Sequence, residues 1–253
     1  MDSVPETPTL GRALRAWWRE NRAHRGTGGA LRMLGRELAE FLRDSTPARL
    51  RARYGDIDYD CDYRVDTTWA NVGWRLRLHG VLAGGGYQPC EPALFHETLE
   101  KLGVDFTGFT FVDIGSGKGR ALLMASDYPF ARILGVELLP ELHAIAERNI
   151  AVYRSDRQQC RRIESLCQDA RSFRFPAGPL VVFLFNPLPQ PALAQVIANL
   201  EDALAAHPRS AYVVYHNPIL EYLLSQNPRW KRLDGTIQFC LYEFALKAPA
   251  LDS

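Results

Sequence analysis

The feature that most constrains this chain is the run Phe111-Val112-Asp113-Ile114-Gly115-Ser116-Gly117-Lys118-Gly119-Arg120. An apolar stretch ends in Gly-x-Gly-x-Gly and passes into a segment of helical character. A strand, a tight glycine turn and a helix in succession form a ligand-approach loop, because glycines let the backbone turn sharply and leave no Cβ in the way. A phosphate-cradling P-loop requires Gly-Lys followed by Ser or Thr, and Lys118 is followed by Gly119. A dinucleotide fingerprint requires its third glycine where Arg120 stands. Asp113, two residues before the first glycine, would repel a pyrophosphate. It suits a cationic or zwitterionic ligand instead.

Around this loop the chain is strongly periodic. Short apolar runs at 109–114, 133–138, 163–167, 180–185 and 211–215 read as strands. Helical spacing between them predicts helices at 120–126, 141–153, 192–206 and 219–225, with Pro140 at a helix start. The run 180–185 (LVVFLF) is apolar throughout, the mark of a central strand buried on both faces. Segments 230–233 and 237–245 read as a closing hairpin turned at Asp234-Gly235. The expected fold is α/β: a seven-stranded, mostly parallel sheet with helices on both faces and an antiparallel C-terminal hairpin.

Two further acids fall at strand ends. Glu137 closes the second strand, where a carboxylate can accept both hydroxyls of a ribose. Asp169 follows the third strand and suits a hydrogen bond to an exocyclic adenine amine, with the Ala170 backbone beside it. Carboxyl ends of parallel strands are the edge at which open α/β sheets bind ligands.

Residues 109–245 resemble the class I, seven-strand S-adenosylmethionine-dependent methyltransferases, most specifically in VDIGSGKGR and in GVEL at 135–138. The resemblance implies S-adenosyl-L-methionine as cofactor. It implies that Asp113, Gly115, Ser116, Gly117 and Gly119 line the methionine end, Glu137 holds the ribose, and Asp169 with Ala170 reads the adenine. Tyr87-x-Pro89 looks like the Tyr-x-Pro-Thr element of the non-SET protein-lysine methyltransferases and related bacterial proteins. That likeness implies that Tyr87 contacts the cofactor, and Cys90 stands where those proteins carry Thr or Ser. Asn186-Pro187 resembles the Asn/Asp-Pro-Pro-aromatic element of enzymes that methylate nitrogen, although Leu188 displaces the second proline and the aromatic is missing. His216, at the end of the fifth strand, is a candidate general base near the acceptor.

The leading expectation is methyl transfer to a nitrogen or oxygen, with a protein side chain as leading acceptor by resemblance. A small-molecule O- or N-methyltransferase, or a non-catalytic nucleic-acid or partner-binding module that keeps the fold, is the alternative. Direct methyl transfer needs no metal, and no His/Asp cluster has metal-ligand spacing.

The chain divides near residue 108. Residues 109–253 form the methyltransferase domain, and 1–108 a helical extension expected to supply a lid or substrate surface. Leu31, Leu34, Leu38, Phe41 and Leu42 give a helix at 30–43, and Leu14, Trp17 and Trp18 a shorter one before the Gly-Thr-Gly-Gly breaker at 26–29. Residues 11–54 hold eleven Arg against four acids, an excess of seven hidden in a whole-chain net charge of +1. Such a run suits a nucleic acid, an anionic lipid or an acidic protein. It suits equally a solvated helix face paired with the acids at 56–66. The solvated face is the ordinary reading, so nucleic acid is allowed but not favoured. The segment 62–69 is expected to fold over the cofactor. Cysteines at 61, 90, 160, 167 and 240 are odd in number and lack Cys-x-x-Cys spacing, which fits free thiols in a reducing cytoplasm. No apolar run is long enough to span a bilayer. Oligomeric state is not legible.

Overall fold

The computed structural model describes residues 10–44, 57–68, 78, 88–186 and 188–245. Helix α1 (Leu10–Asp44) is broken at Gly26, where φ is 68° and ψ 173°. A straight helix would hold residues twenty apart about 30 Å from each other. The Trp17 side chain nevertheless hydrogen-bonds Glu37, so the chain reverses at Gly26 and α1 is a helical hairpin. Helix α2 (Ile57–Tyr63) follows, then α3 (Pro92–Leu102), which starts on a proline and ends on left-handed Gly103.

The sheet comprises β1 (Thr110–Ile114), β2 (Arg132–Glu137), β3 (Ile163–Cys167), β4 (Leu180–Phe185), β5 (Ala211–His216), β6 (Trp230–Gly235) and β7 (Phe239–Phe244). Between them run α4 (Arg120–Ala125), α5 (Pro140–Val152), α6 (Gln190–Ala206) and α7 (Tyr222–Ser225). The strand order is β3-β2-β1-β4-β5-β7-β6. The first five strands are parallel, and β7 pairs antiparallel with β5 and β6. The expected fold class is the observed one. The run LVVFLF is the middle strand of seven, which is why it needs no polar face.

Alternation along the strands divides the core. Val112, Ile114, Val182 and Val213 face one side, under Leu193, Val196 and Leu200 of α6. Phe111, Val181 and Phe183 face the other, under Leu122 of α4 and Phe95 and Leu99 of α3. Phe95 meets Phe183 edge-on at 5.3 Å and Phe111 at 6.0 Å. Helix α3, on the N-terminal side of residue 108, is thus part of the sheet's own core.

The closing hairpin differs from expectation. A register shift between Arg232 and Asp234 draws Asp234 and Gly235 into the ladder, opposite Leu241 and Cys240. The turn falls at Thr236-Ile237-Gln238, where the Thr236 hydroxyl accepts from the Gln238 N–H at 3.0 Å. Helix α7 is also shorter than the spacing suggested, since 219–221 form turns behind Pro218.

Candidate functional site

The chain runs from β1 outward to β2 and β3, then crosses back to β4 and β5, so the sheet's topological switch lies between β1 and β4. A crevice opens there, outside the carboxyl ends of the strands. Asp113, Gly115, Ser116 and Gly117 form its floor, Glu137 and Asp169 with Ala170 one flank, and Phe183, Phe185 and Asn186 the other. The short segment Gln88-Pro89-Cys90 closes it from the N-terminal side.

The loop is shaped by its glycines. Gly115, Gly117 and Gly119 have φ of 78°, 54° and 85°, left-handed values that side chains resist. The N–H groups of Gly115 and Ser116 both donate to Val136 O, at 2.8 and 3.1 Å, tying the loop to β2. Glu137 adds a second tie. Its Oε2 accepts from Gly117 N and its Oε1 from Leu139 N, each at 2.8 Å. Gly135 is required beneath, because a Cβ there would sit 2.6 Å from both Leu122 Cδ1 and Ser116 Oγ. Gly119 does not line the crevice. It starts α4 against Ala146 of α5, which a Cβ would approach to 3.2 Å.

Asp113 is the electrostatic centre. Its carboxyl is buried, makes no hydrogen bond among the described residues, and faces the crevice. Burial, reinforced by neighbouring Glu137, pushes its pKa up to about 8. Burial also raises Glu137, against the lowering effect of the backbone N–H groups it accepts. Ser116 Oγ, also buried at the loop, has no hydrogen-bond partner among the described residues. Two acids and an unpaired hydroxyl around one loop fit a cationic group flanked by hydrogen-bonding neighbours. They do not fit a phosphate.

The structure separates the site residues named from sequence. Asp113, Gly115, Ser116, Gly117, Glu137, Asp169, Ala170 and Asn186 converge on the crevice wall. Asp169 does so with its carboxylate engaged by the Arg171 guanidinium, at 2.9 Å to Nε and 2.5 Å to Nη2, which holds it well below the usual range. Asn186 takes a left-handed φ of 44° directly after β4, a conformation asparagine tolerates. Tyr87 and Pro187 lie outside the described residues.

His216 is placed differently from the general base expected of it. The pleat of β5 turns its ring into the α3-side core, against Phe183 at 4.9 Å, and it does not line the crevice. Thr98 Oγ1 donates to Phe95 O, so it accepts from His216 Nε2 at 2.9 Å. His216 Nδ1 then accepts from the Cys90 thiol at 3.5 Å. Burial lowers its pKa to about 4. The ring is a neutral structural link between α3 and the Cys90 wall.

The residues that motif reading passed over are the two bases inside the glycine loop. Lys118, fully buried, donates to Asp66 Oδ1 at 2.7 Å and Thr68 O at 2.8 Å. Arg120 donates from Nε to Thr67 Oγ1 at 2.6 Å and from Nη2 to Asp60 Oδ1 at 3.3 Å. Its guanidinium also stands 5.0 Å over the Tyr59 ring. Asn149 of α5 completes the clamp, accepting from Asp66 N and donating to Asp66 O and Lys118 O. Residues 60–68 therefore form a strap bound to the back of the loop. The available signal was charge complementarity between Gly-Lys-Gly-Arg and the acids at 60 and 66.

No family model matches this chain, and no curated protein matches it. Among solved structures it is similar to an RNA methyltransferase from Salinibacter ruber in complex with S-adenosyl-L-homocysteine, at 19% identity and TM-score 0.44, over 66% of this chain and 98% of that one. It is similar to a ribosomal protein L11 methylase from Lactobacillus delbrueckii subsp. bulgaricus, at 16% identity and TM-score 0.42, over 60% and 76%. It is also similar to a precorrin-6y C5,15-methyltransferase from Geobacter metallireducens, at 17% identity and TM-score 0.45, over 60% and 88%. The activities in those names belong to those proteins.

Proposed function

We propose that this chain is a class I S-adenosyl-L-methionine-dependent methyltransferase acting on a nitrogen or oxygen acceptor. The observation that carries the proposal is the buried, unpartnered Asp113 carboxyl at the topological switch of the sheet, above a glycine loop unfit for phosphate. A carboxyl in that position gains a partner when a cationic amino-acid end arrives, and Ser116 Oγ gains one with it. Glu137 holds the loop through the backbone N–H groups of Gly117, Leu138 and Leu139 and keeps acceptor capacity for one ribose hydroxyl. Asp169 and Ala170, fixed by Arg171, border the adenine end.

The bound cofactor supplies an electrophilic methyl group on a sulfonium. The chain's task is alignment, holding the acceptor within about 3–3.5 Å of the methyl carbon. Asn186, Phe183 and Phe185 occupy the wall opposite the acids, where the amide can hold an acceptor N–H or O–H and the rings exclude water. An amine acceptor must reach this wall neutral, and the apolar rings favour that form. A protein side-chain nitrogen is the leading acceptor class, on the resemblance of the Tyr87 and Asn186 elements.

Calorimetric titration with S-adenosylmethionine and its demethylated product tests the cofactor assignment. Binding is expected for the native chain and loss of it for Asp113→Ala; equal affinity in both refutes the placement. Tritiated-methyl transfer into lysate separated into protein, nucleic-acid and small-molecule fractions tests the acceptor. Label outside the protein fraction removes the side-chain reading, and label in none of the three removes the enzyme.

A further inference from the structure

The hairpin α1 presents a surface that the crevice does not explain. Leu31, Leu38 and Leu42 are 56%, 40% and 68% exposed. At 100° per residue these three positions fall within about 40° of one another, so they make one aliphatic stripe along the second arm. Leu14 on the first arm is 39% exposed. Beside the stripe lie exposed arginines, of which Arg22, Arg25 and Arg32 have no ion-pair partner among the described residues. Glu37, an acid of the second arm, is turned inward onto Trp17.

Four kinds of neighbour can be compared with this surface. Water leaves a continuous leucine stripe hydrated, which soluble proteins avoid. A second copy would cover the leucines but offers few acids to the arginines, since Glu37 is turned onto Trp17 and Glu40 pairs with Arg36. A nucleic acid would neutralise the arginines and leave the leucines wet. An anionic bilayer surface satisfies both, with the leucines at the acyl boundary and the guanidinium groups among lipid phosphates. No described helix is long and apolar enough to cross a membrane, so the hairpin would lie in the interface plane. We infer that α1 is a peripheral docking element for anionic lipid membranes, seated through Leu31, Leu38 and Leu42 and held by its arginines.

The test is co-sedimentation of the full chain with vesicles of phosphatidylcholine alone or mixed with phosphatidylglycerol, at low and at physiological salt. Binding is expected only to the mixed vesicles and is expected to weaken with salt. Leu38→Ser/Leu42→Ser and Arg22→Glu/Arg25→Glu each are expected to lower the partition coefficient at least about tenfold. These side chains are exposed, and helical circular dichroism equal to that of the native chain confirms folding of each variant. Absence of binding to the mixed vesicles at low salt overturns the inference. Full retention of binding in the leucine variant also overturns it, since charge alone would then act. So does an RNA homopolymer that binds the leucine variant and the native chain equally and strips both from vesicles.

Discussion

At the scale of single residues, the decisive group is a carboxyl that the fold holds in the wrong protonation state for water. Asp113 has a folded pKa near 8 against an ordinary value of 3.8. The sign of its effect on stability follows from linkage: its contribution is fully present below pH 3.8 and is lost as pH rises through 8. The gap in melting temperature between Asp113→Asn and the native chain is therefore expected to widen in favour of the variant between pH 5 and pH 8 and to stay constant above, which thermal denaturation across that range checks. Ligand binding reverses the preference. A cation beside Asp113 requires the carboxylate, so binding of S-adenosylmethionine at pH 7 is expected to release close to one proton, measurable by calorimetry in buffers of differing ionisation heat. Uptake or no exchange would place the cationic end elsewhere. His216 behaves in the opposite sense. Its folded pKa of about 4 lies below its ordinary value of 6.5, so it favours folding above pH 6.5 and loses that contribution as pH falls through 4. A transfer rate that changes between pH 5 and 7 is then expected to persist in His216→Gln.

At the scale of elements, the strap and the glycine loop are one device. Asn149 satisfies two backbone groups of Asp66 and one of Lys118 from a single buried side chain. Asn149→Leu strands those three groups, and each buried unsatisfied group costs about 1–3 kcal/mol. We expect a loss of about 3 kcal/mol or more in urea denaturation, together with faster proteolysis within 60–68 and weaker cofactor binding. Unchanged protease resistance would show that the strap is held without it. Gly135→Ala is expected to cost about 1–3 kcal/mol, because the added methyl meets Ser116 and Leu122 beneath the loop. These couplings explain which parts of the site were legible beforehand. Asp113, Glu137 and the glycines sit at fixed offsets from strand ends, so period and spacing locate them. Lys118 and Asp66 lie 52 residues apart, and nothing local tells a buried, paired lysine from a solvated one. His216 misled for a related reason. Its position at a strand end was readable, but the face to which the pleat turns it depends on α3, whose docking no local pattern encodes.

At the scale of the whole molecule, the seven-stranded, mostly parallel sheet and its antiparallel C-terminal edge were readable because five apolar runs alternate with helical spacing and two more strand-like segments close the chain. The unit of folding was less so. Residue 108 separates the motif-rich sequence from the Arg-rich sequence, and packing does not respect that boundary. Phe95, Leu99, Leu102 and Phe106 are all at most 7% exposed and cover the face of the sheet formed by Phe111, Val181 and Phe183. Burying one large apolar side chain contributes about 1.5–3 kcal/mol, so these four contribute about 6–12 kcal/mol. Domain stability is about 5–15 kcal/mol in total. A fragment of residues 109–253 therefore gives up most of its stability and exposes an aromatic face. It is expected to be insoluble, or to bind a hydrophobic dye and melt without a cooperative transition. A fragment of residues 57–253 keeps both α3 and the strap and is expected to melt cooperatively, and to gain several degrees with saturating S-adenosylmethionine. Cooperative melting of 109–253 alone would show that α3 is an appendage, and the folding unit would then begin where the motif begins.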